Sequence, residues 1–95
     1  MKWLKRDNLQ KKIFAVRDGV FKGLFLVYIS TTDDEFNFLV LPENEVMSIT
    51  KAQWKEGVDN KIVDLIRKLP DNVYEICCAQ YNESKARSNI NRLKQ

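Results

Sequence analysis

The side chains best able to do chemistry in this chain are an adjacent thiol pair, two groups of carboxylates and a scatter of lysines and arginines; histidine is absent. Without imidazole, the commonest general base, the usual metal ligand and every His-dependent triad drop out. The chain also lacks a Gly-rich phosphate loop, a Gly-x-Ser-x-Gly elbow and cysteines at metal-ligand spacing. Cys77-Cys78 has the form of a vicinal redox pair, but a reactive thiol needs exposure and nearby positive charge. Flanked by Ile76 and Ala79, the two sulfurs are expected to fill core instead. Asp33, Asp34 and Glu35, with Glu43 and Glu45 further on, offer hard oxygen ligands. A calcium loop needs a set ligand spacing and a turn glycine, and neither follows here, so a solvated hairpin tip is expected. The residue types therefore point to a non-enzymatic protein with no catalytic residue, no cofactor and no metal.

The basic groups suit a different task. Lys2, Lys5, Arg6, Lys11 and Lys12 are interleaved with Trp3 and Phe14, a pattern that pairs phosphates while an aromatic stacks on a base. Lys85, Arg87, Arg92 and Lys94 extend that surface if the termini converge. The net charge of +3 is too small to imply nucleic acid by itself, but it is unevenly spread. Residues 1–17 carry six basic groups and one acid, residues 84–95 four and none, and residues 18–83 six against twelve. An RNA- or DNA-binding protein working through these nine basic residues and Trp3 is thus one expectation. A solubilising rim around an acidic body is the plainer alternative.

The elements that must position these groups are partly legible. Ninety-five residues make one domain with a modest core, and 44% apolar content marks a globular chain. No apolar run is long enough to span a membrane, and Met1–Asn8 lacks the core of a secretory signal. Two cysteines make no disulfide framework, so a reduced, cytoplasmic setting is expected. The stretch Val20 to Thr31 reads as the central strand, preceded by an Asp18-Gly19 hairpin signal that pairs it with Lys12 to Arg17. A two-residue turn would set Phe14 against Gly23; a β-bulge at Gly23 is the competing expectation. Phe21, Phe25, Val27 and Ile29 fall on one face of the strand and Leu24, Leu26 and Tyr28 on the other, so both faces need cover. Thr31 to Glu35 is a polar hairpin loop, Phe36 to Leu41 a third strand stopped by Pro42, and residues 45–50 either a short edge strand or a loop.

Thr50-Lys-Ala-Gln53 has the form of a capping box opening a helix, with Gly57 suited to close it. Ile62, Leu65, Ile66 and Leu69 share a stripe at helical spacing, which predicts a second helix stopped at Pro70. Val73 to Tyr81 is apolar on both faces and predicts a last strand. Ala86, Ile90 and Leu93 form the stripe of a C-terminal amphipathic helix over 83–94, while residues 1–10 make a basic arm or a short helix.

The expected fold is a single α+β domain over 1–95: a mainly antiparallel sheet of about four strands, in the order β-β-β-α-α-β-α, with packed helices. The Asn-, Lys-, Ile- and Phe-rich usage is of the kind found in small accessory proteins of AT-rich bacterial or phage genomes. If one greasy sheet face stays uncovered, Phe14, Phe21, Phe25 and Val27 mark a protein-binding surface. The expected function is then a small protein-binding module, an inhibitor or regulator of a larger macromolecular machine, with no membrane partner. The same face would join two copies as a homodimer.

Overall fold

The computed structural model describes residues 6–93, with side chains described for residues 8–87. The chain runs α1 (Arg6–Leu9), β1 (Lys12–Val16), β2 (Phe25–Thr32), β3 (Glu35–Leu41), β4 (Glu45–Thr50), α2 (Lys51–Asp59), β5 (Val63–Lys68) and α3 (Asp71–Leu93). The strands form one sheet in the order β4-β3-β2-β1-β5, antiparallel throughout. The α+β class and the antiparallel sheet are as expected from the sequence, with five strands rather than about four.

Period-two alternation sorts β2 and β3 into two cores. Leu26, Tyr28, Phe36, Phe38 and Val40 project to one side, where Leu9 of α1 and Trp54 of α2 close over them with Phe14 and Val16 of β1. Val27 and Leu39 project to the other side and meet Leu69, Cys77 and Tyr81 beneath α3. A bulge at Ile29 leaves the register Tyr28↔Phe38 followed by Ser30↔Asn37. It keeps Ile29 and Ser30 on the α3 side and adjusts the strand to the covering helix. Asn37 is buried there, and its amide donates to Ser30 Oγ at 3.1 Å and Thr32 Oγ1 at 2.8 Å while its oxygen accepts from Ser48 Oγ at 2.7 Å. Each sheet face thus carries a core of its own, under α1 and α2 on one side and α3 on the other.

Four local expectations are corrected. Asp18-Gly19 does not close a two-residue hairpin, and Val20 to Leu24 is loop rather than strand. The loop folds on itself through Gly23, whose φ of 93° lets its N–H reach Val16 C=O at 3.0 Å. Phe14 consequently pairs Leu26 instead of Gly23. Gly57 lies inside α2; the helix ends at Asn60 and Lys61, the latter at φ 58°. Residues 62–69 form an edge strand rather than a helix. Their backbone completes β1, with Arg17 N–H donating to Ile62 C=O and Leu69 N–H to Lys11 C=O, each at 2.6 Å. A one-element helix there would need its own nucleus between a left-handed Lys61 and Pro70, whereas β1 offers a ready ladder. Residues 73–81 belong to α3 rather than to a strand. Among its described side chains Cys77, Tyr81 and Ser84 are buried, at helical spacing, and Ser84 Oγ donates to Asn44 C=O in the turn before β4. The capping box is present as expected: Gln53 N–H donates to Thr50 Oγ1 at 3.1 Å, and Thr50 N–H to Gln53 Oε1 at 3.2 Å. Ile90 and Leu93, the expected anchors of the last helix, lie outside the residues whose side chains are described.

Candidate functional site

Trp54 organises the α2 side of the sheet. Its ring lies 5.1 Å from Phe14, edge-on, and 4.9 Å from Phe38, and only 1% of the residue is exposed. Because α2 is nine residues long and carries Gly57 where a larger side chain would pack, it covers this face incompletely. An apolar cleft of ≈490 Å³ remains beside it. Val16 and Leu26 form its floor, Met47 and Ile49 of β4 one wall, and Trp54 and Gly57 the helix side. Ile62 and Val63 bound it toward β5, and the loop after β1 brings Val20 and Phe21 to its lip. Val20 is 95% exposed and Phe21 49%. The polar groups at the cleft are Asp18, Ser48, Gln53 and Glu56, so its charged rim is acidic.

Of the four residues expected to share a protein-binding face, the structure separates two pairs. Phe14 is 1% exposed in the Trp54 core and Val27 0% in the α3 core, on opposite sides of the sheet. Neither offers a surface. Phe21 and Phe25 are exposed, and Phe21 lines the cleft. Met47, Ile49, Ile62 and Gly57 were not anticipated as site residues. A glycine inside a capped helix was the available signal, since such a position costs about 1 kcal/mol against alanine and so marks a packing or functional reason.

Among the described residues, Lys11 and Lys12 lie apart from Lys85 and Arg87. Lys11 Nζ pairs with Asp71 at 2.7 Å; its hydrogen bond and charge hold that carboxyl below the usual range. Lys12 Nζ donates to Asn8 C=O at 2.7 Å. Lys85 and Arg87 are exposed on α3, and Arg87 also donates to Ser84 Oγ at 3.3 Å. Lys11 meets the first residue of α3, and Lys85 lies about 21 Å further along that helix at 1.5 Å per residue. Among the described residues the two basic groups are therefore about 21 Å apart along α3. The side chains of Lys2, Trp3, Lys5, Arg6, Arg92 and Lys94 lie outside the described residues.

Of the vicinal thiols, Cys77 packs in the core and Cys78 is half-buried. Cys77 is buried against the α3 core, and burial, with a smaller contribution from Cys78, pushes its thiol up. In the folded protein Cys77 should alkylate many times more slowly than after denaturation, as measured by mass spectrometry of the labelled peptide; equal rates would remove it from the core. Asp33 and Asp34 form the two-residue tip between β2 and β3. Among the described residues no group of three or more carboxylates or thiols is gathered for a metal, and no helix is long and apolar enough to cross a membrane. Comparison with known proteins gives no matching family model, no matching curated sequence and no matching solved structure.

Proposed function

We propose that this chain is a small non-enzymatic protein-binding module that seats an apolar side chain of a protein partner in the cleft beside α2. The cleft carries the proposal. It is large enough for one or two bulky side chains, lined mainly by apolar groups and edged by an exposed Phe21, the composition of an anchor pocket rather than of a reaction centre. Asp18 and Glu56 on its rim favour a partner with basic groups beside the anchor. Such a module works by occupancy, as an inhibitor or regulator of the larger assembly to which the partner belongs.

Gly57 supplies the test. A Cβ built at this position meets nothing within 4 Å, and the residue lies at the cleft, so Gly57→Trp should fill it without disturbing α2. Gly57→Ala is the control and should stabilise the helix by about 1 kcal/mol. A partner captured by the tagged protein after nuclease treatment should be kept by Gly57→Ala and lost by Gly57→Trp. Retention by Gly57→Trp, or recovery of nucleic acid alone that disappears when Lys85 and Arg87 become Gln, would overturn the proposal in favour of another surface.

A further inference from the structure

The two edges of the sheet are built differently. On β5 the register with β1 shifts between Ile13 and Phe14, leaving Ile66 without a partner, and Asp64, Arg67 and Lys68 are exposed. Bulges and charges of this kind blunt an edge against further pairing. β4 carries no bulge, and its charges sit at its two ends, at Glu45 and at Lys51 just beyond it. Its six residues pair β3 without interruption, from Glu35↔Thr50 to Val40↔Glu45. Lys51 N–H donates to Asp34 C=O at 2.9 Å, so the bonded positions of this ladder continue at Ile49 and Met47. The alternate residues Val46, Ser48 and Thr50 then turn their N–H and C=O groups away from β3, along the open edge, where the Thr50 N–H is already held by Gln53 Oε1 and only its C=O is left to accept. Both faces of β4 are packed by helices, and among the described residues no strand pairs its outer edge.

The edge is complementary to itself. An antiparallel copy related by a two-fold axis at Ser48 sets Ser48 against Ser48, Met47 against Ile49, Val46 against Thr50 and Glu45 against Lys51. Thiother meets aliphatic, β-branched meets β-branched and acid meets base, twice over by symmetry. Period-two alternation puts Glu45, Met47 and Ile49 on the Trp54 side, and the ammonium of Lys51, the first residue of α2, lies on that side as well, 5.9 Å from the centroid of the Phe36 ring. A slip of one residue would set side chains of opposite faces together, and a slip of two would set Glu45 against Ile49 or Met47 against Lys51, so the paired charges select this register.

We propose that two copies of this chain join β4 to β4 about this axis, continuing each five-stranded sheet into the other. The assembly is isologous and closed, and it ends in the two blunted β5 edges. Met47, Ser48 and Ile49 also line the cleft, so the two clefts lie on either side of the axis. The dimer does not depend on what the clefts bind.

Sedimentation equilibrium over a dilution series tests this. The wild-type chain should pass from twice 11.2 kDa to 11.2 kDa as it is diluted. Glu45→Lys puts like charges opposite at two symmetric places and should raise the dimer Kd by about tenfold, since each like pair costs a few tenths to 1 kcal/mol. Glu45→Lys combined with Lys51→Glu restores opposite charges and should recover most of the affinity. Ser48→Pro removes an outward N–H and should abolish the dimer, with circular dichroism confirming that the monomer is folded. A wild-type chain that stays monomeric at every concentration overturns the proposal. So does a dimer insensitive to Glu45→Lys, or one that the double exchange fails to restore.

Discussion

Replacing Trp54 with Ala should cost about 3–5 kcal/mol of folding stability, the usual range for deleting a buried indole. Trp54 is the sole buried residue of α2 and touches the rings of Phe14 and Phe38, so its loss both empties the centre of one core and releases the helix that covers it. A domain of this size holds roughly 5–15 kcal/mol in total, so the variant would stand near the edge of stability. Its midpoint should fall by on the order of 20 °C. Urea or thermal melts followed by circular dichroism measure this directly. Phe21→Ala, at the exposed lip of the cleft, should change the midpoint little and serves as the comparison. A loss below about 1 kcal/mol for Trp54→Ala would show that α2 is not docked through this ring.

The second large effect is expected on the opposite face. Leu39 is buried on the α3 side of β3, one residue from Phe38 on the Trp54 side. Leu39→Ala should cost about 2–5 kcal/mol by leaving a cavity beneath Cys77 and Tyr81. The two substitutions empty different cores, so their effects should add, and the double variant should be unfolded at room temperature. Hydrogen exchange distinguishes the faces. Leu39→Ala should raise exchange first in α3 between Cys77 and Tyr81, and Trp54→Ala first in α2. Equal loss of protection in α2 and α3 from Leu39→Ala alone would show that the two cores are not separable in this way.

These effects also locate the weak point of a function assigned to the sheet face. With α1 and α2 on one side and α3 on the other, the apolar alternation of β2 is satisfied inside the chain. Among the described residues, the gap that Gly57 leaves beside α2 and the edge of β4 are two places the helices do not cover. Both are properties of what the helices fail to cover, not of any exposed motif.

The sequence by itself determined the elements whose signals are local. β3 and the Asp33-Asp34 tip follow from alternation and turn chemistry, and the start of α2 follows from Thr50 and Gln53, whose side chains and backbone satisfy one another across three residues. The need for cover on both faces of β2 was likewise written in Leu26, Val27 and Tyr28. Only the tertiary structure decided the segments 62–69 and 73–81, and it decided them against their local patterns. Ile62, Leu65, Ile66 and Leu69 satisfy a helical stripe, but β1 had one unpaired edge, and its hydrogen bonds to Ile62 and Leu69 outweigh a helix that would leave that edge bare. Once 62–69 became the fifth strand, the α3 face still lacked a cover, and Val73, Cys77 and Tyr81 could supply one only at a spacing of four, as a helix. The cleft is legible at neither level alone, because it is the space between α2, β4 and the Gly23-closed loop, and no single segment encodes a space.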